Sequence, residues 1–110
     1  MSRHIGVTET YNSISIPMRA EVGLLSRNVI FEGDDSSLIN EYGAHLMLHG
    51  ASTSARIRHA EFRKTGQPKI IGRYPIHFHL VGDVSGSIVE GNAVHDSFAR
   101  VLTIHATHYL

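Results

Sequence analysis

The sequence predicts an all-β protein, specifically a right-handed parallel β-helix of about three coils. Three segments that each end in histidine support this prediction: residues 46–49, 76–79 and 102–105. They align without gaps at offsets of 30 and then 26 residues, a spacing that is typical of coils and too long for hairpins. Glycines separate the short apolar runs, and the sequence contains neither Asn-Gly nor Asp-Gly, the strongest short hairpin signals.

The alternation within the three segments predicts what each face of the sheet carries. Successive side chains of a strand point to opposite faces, so apolar residues are expected to stack inside and the terminal histidines outside. The apolar stack is Leu48, Phe78 and Ile104, and the histidine column is His49, His79 and His105. Neighbouring histidines would lie about 4.8 Å apart, and such a column on an exposed sheet is a candidate site.

A second repeated element lies between the histidine segments. Residues 55–62 align with residues 87–94 at an offset of 32 residues, and residues 28–33 resemble an earlier copy. The alignment matches Ile57 with Val89 and Phe62 with Val94. Gly91-Asn92 fits a corner between two flat strands, because both residue types tolerate the left-handed backbone region.

The predicted organisation is an irregular lead-in over residues 1–19 followed by β-helix coils over residues 20–110. The predicted strands are residues 22–25, 29–31, 46–48, 55–57, 70–71, 76–80, 87–89, 93–94 and 101–104. Solenoid ends need caps to protect their unpaired edges, and neither end of this sequence resembles one. We therefore expect a partial domain that is flanked by other domains of a longer parent chain.

Composition limits the classes of partner. The 110 residues carry ten basic and ten acidic side chains, which predicts neither nucleic-acid binding nor membrane contact by this segment. No apolar run resembles a signal peptide or a membrane span. Cysteine is absent, so disulfides and thiolate metal sites are excluded from the segment. The nine histidines are a large excess for this length.

His77 and His79 are the candidate metal ligands, because two histidines two apart on a strand share one face. A metal site usually needs a third protein ligand, which His49 or His105 could supply. The favoured interpretation is nevertheless structural: the repeat stacks these imidazoles on the surface. Asp34-Asp35 offers too few oxygen atoms for calcium and is interpreted as a solvated turn.

A cupin is a more distant alternative. Its metal motif combines a glycine, a His-x-His pair and an acidic residue, which Gly72, His77, His79 and Asp83 or Glu90 match only superficially. The first spacing is one residue short, and no second motif follows.

Residues 18–29, 72–80 and 98–108 resemble the β-helix region shared by the cell-surface hyaluronidase, cell migration-inducing hyaluronan-binding protein and fibrocystin-L family. The resemblance implies an extracellular or cell-surface parent protein that binds or depolymerises hyaluronan or a related polysaccharide. The alternative within the family is a structural or adhesive receptor module of the fibrocystin-L type. The resemblance allows calcium in the full-length parent, and the segment itself predicts no certain cofactor.

Two chemistries are open for a hyaluronan-depolymerising enzyme. Hydrolysis would need an acid and a second carboxylate, or its substitute, flanking the glycosidic bond, and the candidates are Asp83, Glu90 and Asp96. Elimination would need a base and a cation to neutralise the uronic carboxylate. The catalytic candidates for elimination are His79 or His105 as the base and Arg73 or Arg100 as the cation. For each arginine the favoured alternative is a solvated charge or a salt bridge to Asp83 or Asp96.

Sugar contacts are expected from the remaining polar side chains of the same region. The candidate substrate-binding residues are His49, His77, Asp83, Asp96 and His108. Because the net charge is near zero, local cations would have to hold an anionic glycan, and protonation of histidines should strengthen binding toward about pH 6.

Overall fold

Parallel pairing between distant segments organises the fold. The computed structural model describes residues 6–19, 22–51 and 53–110. The elements of this described part are β1 (Val7–Tyr11), β2 (Ile14–Met18), β3 (Val29–Glu32), α1 (Ser37–Asn40), β4 (Leu46–His49), β5 (Arg56–Arg58), β6 (Ala60–Arg63), β7 (Ile76–Asp83), β8 (Ile88–Glu90), β9 (Ala93–His95) and β10 (Leu102–His108). Strands β3 to β10 pair in parallel, as a β-helix requires.

The sheet that carries the histidine column has the strand order β10-β7-β4. Its register confirms the predicted stacking. Phe78 lies opposite Leu48 on one side and Ile104 on the other. One position further along the strands, His79 lies between His49 and His105. The repeat and the two-residue period of the strands therefore predict this register correctly.

Two further parallel sheets confirm the alignment of the second repeat. Strands β3, β6 and β9 form one sheet, and β5 and β8 form the other. The paired positions are Ile57 with Val89, Phe62 with Val94, and Phe31 with Phe62. Residues 28–33 are thus an earlier copy of the second repeat, because Phe31 occupies the position that Phe62 and Val94 occupy in the two later copies.

The bends between β5 and β6 and between β8 and β9 superpose along the stack. Gly91 occupies the left-handed region at φ 62, as predicted, and His59 does so at φ 53 in the preceding bend. Asn92 does not adopt the left-handed region; its side chain stabilises the bend instead. Its Oδ1 accepts a hydrogen bond from Ala60 N at 2.9 Å, and its Nδ2 donates to Ile57 O at 2.8 Å. The amide thus satisfies two backbone groups that the bend leaves without ladder partners.

The core lies between the sheets. Its buried cluster is Leu48, Phe62, Ile76, Phe78, Val81 and Val84. Phe78 is fully buried because β4 and β10 cover it on both sides. Ile104 stacks on Phe78 as predicted but is 49% exposed, since it belongs to the edge strand β10. In the described part of the chain, no helix is both long and apolar enough to cross a membrane.

The described part of the lead-in is regular, which corrects the prediction for residues 1–19; residues 1–5 lie outside the described part. Strands β1 and β2 form an antiparallel hairpin with Tyr11 opposite Ile14. Asn12 and Ser13 make the turn at φ 47 and φ 62. A two-residue turn with positive φ matches the twist of hairpin strands. Asn-Ser signals it weakly because only glycine adopts positive φ without a steric cost.

Two short predicted strands are wrong. Residues 22–25 and 70–71 are apolar and partly β-branched, yet neither run forms a strand. Val22 is 96% exposed and Ile71 is 97% exposed, so neither side chain has a core to pack against. Residues 70–71 lie in turns closed by hydrogen bonds from Ile70 N to Gln67 O and from Arg73 N to Ile70 O. Propensity alone predicts a strand here, but pairing decides the outcome.

Candidate functional site

The histidine column forms one wall of the candidate site. His49, His79 and His105 come from β4, β7 and β10 at the same register. The ring centroids of His49 and His79 are 5.5 Å apart, and those of His79 and His105 are 5.2 Å apart. These separations are close to the spacing of adjacent strands, about 4.8 Å, so the backbone sets the repeat of the imidazoles.

His77 shares the face of the column but is 2% exposed. The turn before β7 folds over it. His77 Nδ1 lies 2.8 Å from Gly72 O, and the ring of Tyr74 meets that of His77 edge-on at 5.1 Å. A carbonyl oxygen can only accept, so Nδ1 carries the proton of this hydrogen bond. Gly72 adopts φ 90, a conformation that favours glycine, and so aims its carbonyl at the imidazole.

An open groove of about 650 Å³ runs along this face. Its lining residues are Met47, His49, Ile71, Gly72, Tyr74, His77, His79, Arg100, Thr103, Ile104 and His105. Arg100 brings the guanidinium to this wall, and no carboxylate is among the described residues that line it. The groove size falls in the usual range for small-ligand sites, roughly 300–1,000 Å³.

The electrostatics of the groove favour a neutral His79. Burial lowers the pKa of His79 below its ordinary value, and the neighbouring His77, His105 and His49 lower it further. The neutral form of His79 therefore persists to lower pH than in an isolated histidine, and at neutral pH the fixed positive charge of the groove wall is Arg100. A neutral imidazole is the form that acts as a base or a metal ligand.

The groove brings together five of the residues singled out in the sequence. These are His49, His77, His79, Arg100 and His105. Arg73 does not line the groove; it lies near His45, whose pKa is lowered first by burial and then by the Arg73 charge. The predicted salt bridges from Arg73 or Arg100 to Asp83 or Asp96 do not form among the described residues.

The remaining candidates lie away from the groove. Asp83 and His108 pair at the far ends of β7 and β10, and Asp83 Oδ1 accepts a hydrogen bond from Ser85 N at 2.8 Å. That hydrogen bond is the main cause of the lowered pKa of Asp83. Asp96 Oδ2 is 2.8 Å from His95 Nδ1. Glu90 forms an ion pair with Arg58 on another sheet.

Calcium in the full-length parent stays a prediction. The groove offers imidazole nitrogen, whereas calcium takes six to eight oxygen ligands. Asp34 Oδ1 accepts a hydrogen bond from Ser36 Oγ at 2.6 Å, and Asp35 pairs with Lys64 at 2.6 Å. Asp34-Asp35 is therefore a turn whose carboxylates already have partners.

A second polar cluster was not predicted. Glu61 is 3% exposed and accepts hydrogen bonds from Arg27 N at 2.9 Å and from His95 Nε2 at 3.1 Å. The hydrogen bond from Arg27 N is the main cause of the lowered pKa of Glu61. Asp96 and then Glu61 raise the pKa of His95. The alignment of residues 55–62 with residues 87–94 places Glu61 opposite Ala93, two positions before His95, and so brings the two residues onto adjacent strands without specifying their contact.

The stacked parallel sheets and the histidine-lined groove define a β-helix protein with a candidate ligand site on one face. Residues 41–110 match the family model described as CEMIP beta-helix, and the chain belongs to this family. The resemblance that the sequence predicts is thereby confirmed. The parallel pairing does not fit the cupin alternative, which is a jelly roll.

The relatives include animal and amoebal proteins. The chain is 36% identical to the cell surface hyaluronidase CEMIP2 of Homo sapiens, over 86% of this chain and 8% of that protein. It is 40% identical to a G8 domain-containing protein of Dictyostelium discoideum, over 82% of this chain and 8% of that protein. It is 33% identical to fibrocystin-L of Mus musculus, over 97% of this chain and 3% of that protein.

The chain therefore spans only 3% to 8% of the length of these relatives. No solved structure matches it significantly.

Proposed function

We propose that the histidine groove binds an acidic linear polysaccharide of the hyaluronan type. The observation that carries this proposal is the column of His49, His79 and His105, which repeats at 5.2–5.5 Å beside the Arg100 guanidinium in an open groove. A linear polysaccharide is itself a regular array of hydroxyl and carboxylate groups. Imidazoles donate to and accept from hydroxyls, and a guanidinium binds a carboxylate bidentately.

The relatives support this assignment through their names. Proteins of Homo sapiens and Danio rerio that resemble the chain are called cell surface hyaluronidases. From this similarity we propose that the parent protein lies outside the cell or at its surface. We also propose that the parallel strands wind as about three right-handed coils, the hand that nearly all parallel crossovers take.

If the parent protein depolymerises hyaluronan, elimination fits the groove better than hydrolysis does. Hydrolysis would need an acid and a second carboxylate, or its substitute, across the bond, and the described carboxylates of this segment lie outside the groove. Elimination would use a neutral imidazole, His79 or His105, to remove the proton beside the uronic carboxylate. The glycosidic C–O bond on the next ring carbon would then break as a C=C bond forms, and the imidazolium would return the proton to the leaving sugar oxygen. Arg100 would neutralise that carboxylate as charge develops.

A non-catalytic module of the fibrocystin-L type is the second candidate. The alignment with fibrocystin-L of Mus musculus extends over 97% of the chain, more than the 86% aligned with CEMIP2. In such a module the stacked sheets would act as a rigid spacer, and the histidines would be surface residues.

Substitution in the full-length protein distinguishes the two candidates. His79→Gln, His105→Gln and Arg100→Gln remove groove side chains, and Arg56→Gln is the matched control on β5, away from the groove. Hyaluronan binding and depolymerisation are measured on each variant, with thermal unfolding as the folding check. Loss in the groove variants, with the control unchanged, supports the binding site. Unchanged binding in all folded variants favours the spacer.

A further inference from the structure

Three imidazoles of the groove converge on one point. His77 and His79 project from β7, and His105 projects from the adjacent strand β10. One ring nitrogen of each lies within 4.8 Å of those of the other two. Three histidines are the protein ligand set of one well-known class of open zinc site.

His77 is held as a metal ligand would be held. Its Nδ1–H donates to Gly72 O at 2.8 Å, so the neutral ring keeps its lone pair on Nε2. Metal-ligating histidines almost always donate their other ring N–H to a carbonyl or carboxylate in this way, which fixes both tautomer and ring orientation. Tyr74 packs edge-on against the same ring and leaves it little freedom.

The spacing of the other two imidazoles also fits a metal. His79 Nδ1 and His105 Nδ1 face each other at 3.3 Å. Zinc–nitrogen bonds of about 2.0–2.1 Å in a tetrahedron place neighbouring ligand nitrogens roughly 3.3–3.4 Å apart. Two lone pairs at this distance repel unless a proton or a cation lies between them. The same separation also suits an N–H···N hydrogen bond when one of the two rings carries its proton on Nδ1, and a metal ion would replace that proton.

The geometry points to a binding site for a single transition-metal dication of the zinc type at His77, His79 and His105. Imidazole suits zinc, copper, nickel and iron, whereas calcium and magnesium prefer oxygen. The ring of His105 is exposed on an edge strand and can rotate to close the remaining distance. The fourth coordination position faces the open groove and is left to water. The site shares His79 and His105 with the proposed polysaccharide groove, so in the metal-bound form these two imidazoles are ligands and not the base. Metal binding itself needs no polysaccharide and is tested without one.

The test uses the full-length protein, stripped with a chelator and titrated with Zn²⁺ and, separately, with Co²⁺. Titration calorimetry gives the zinc affinity, and the visible absorption of tetrahedral Co²⁺ reports the geometry. We expect the wild type to bind one zinc ion at this site, and we expect His79→Gln and His105→Ala to lose that binding. The affinity should fall by more than the 10–100-fold that loss of an outer-shell partner typically costs.

Two further variants sharpen the test. His105→Asp places a carboxylate oxygen where Nδ1 now lies, so it should retain zinc and the tetrahedral cobalt band. His59→Asn removes an exposed histidine from the bend between β5 and β6 and tolerates its positive φ, so it should bind zinc like the wild type. Thermal unfolding without metal verifies the fold of each variant. Zinc binding that is equal in wild type, His79→Gln and His105→Ala overturns the inference, as does a folded wild type that binds no zinc.

Discussion

The side-chain oxygen of Asn92 accepts a hydrogen bond from the backbone N–H of Ala60 at 2.9 Å, although the two residues are 32 positions apart. The same amide donates to Ile57 O at 2.8 Å. One side chain therefore joins two successive bends of the stack. The strand ladders end at these bends, so the backbone groups there have few other partners.

Replacement of Asn92 should therefore destabilise the fold. Asn92→Ala leaves Ala60 N–H and Ile57 C=O without their partners, and we expect a loss of about 1–2 kcal/mol in the free energy of unfolding. Asn92→Asp keeps the acceptor but loses the donor, so its free energy of unfolding should lie between those of the wild type and Asn92→Ala. Urea unfolding measures these changes. Asn28→Ala, the exposed-residue control, should stay within about 0.5 kcal/mol of the wild type.

The apolar stack gives a prediction that depends on position. Phe78→Ala creates a cavity at a fully buried site between Leu48 and Ile104, and should cost about 3–5 kcal/mol of unfolding free energy. Ile104→Ala removes a side chain that is 49% exposed and should cost clearly less. Thermal or urea unfolding of the two variants provides the measurement. Equal losses would show that Ile104 is as well covered as Phe78, contrary to the structure.

How far the sequence alone predicts the structure depends on repetition. The histidine column was predictable because a two-residue period, repeated in three segments, determines both face and register. The burial of His77 was not, because it results from a turn in which Gly72 and Tyr74 fold back over the strand. Strand periodicity could not predict whether Arg73 faces the groove either, because Arg73 lies in the same turn and a turn has no regular alternation of faces.

The hairpin and the Glu61–His95 pair were missed for different physical reasons. Asn12-Ser13 lacks the glycine that makes such turns recognisable, so only the paired strands reveal it. Glu61 and His95 are 34 residues apart, and their hydrogen bond depends on side chains reaching between β6 and β9. The alignment predicts the pairing of these strands but not which polar groups reach each other.

The Glu61–His95 pair predicts a pH dependence of stability. The pKa of His95 is raised above 6.5, mainly by Asp96 and then by Glu61, so its stabilisation is complete below pH 6.5 and is lost as the pH rises through the folded-state pKa. The pKa of Glu61 is lowered below 4.5, so its stabilisation is complete above pH 4.5 and is lost on acidification. The pair should contribute most between about pH 4.5 and 6.5.

His95→Gln tests this window, because glutamine retains a hydrogen-bond donor but does not titrate in this range. The difference in unfolding free energy between wild type and variant should be largest in the window and should shrink above neutral pH. Urea unfolding at a series of pH values measures it. A difference that stays constant from pH 5 to pH 9 would contradict the assigned role of the pair.

Arg100 predicts how polysaccharide binding responds to salt. At neutral pH His79 is held neutral, so the fixed positive charge of the groove wall is the guanidinium, and its attraction for a uronic carboxylate is screened by ions. Hyaluronan binding by the full-length protein should weaken as salt increases, whereas binding of an uncharged glucan should not.

Arg100→Gln should weaken hyaluronan binding about tenfold, the loss expected for one charge-assisted hydrogen bond in an open groove. It should also reduce the salt dependence, while Arg56→Gln changes neither. Titration calorimetry at low and high salt separates these outcomes, and an unaltered salt slope in Arg100→Gln would assign the attraction to another part of the parent protein.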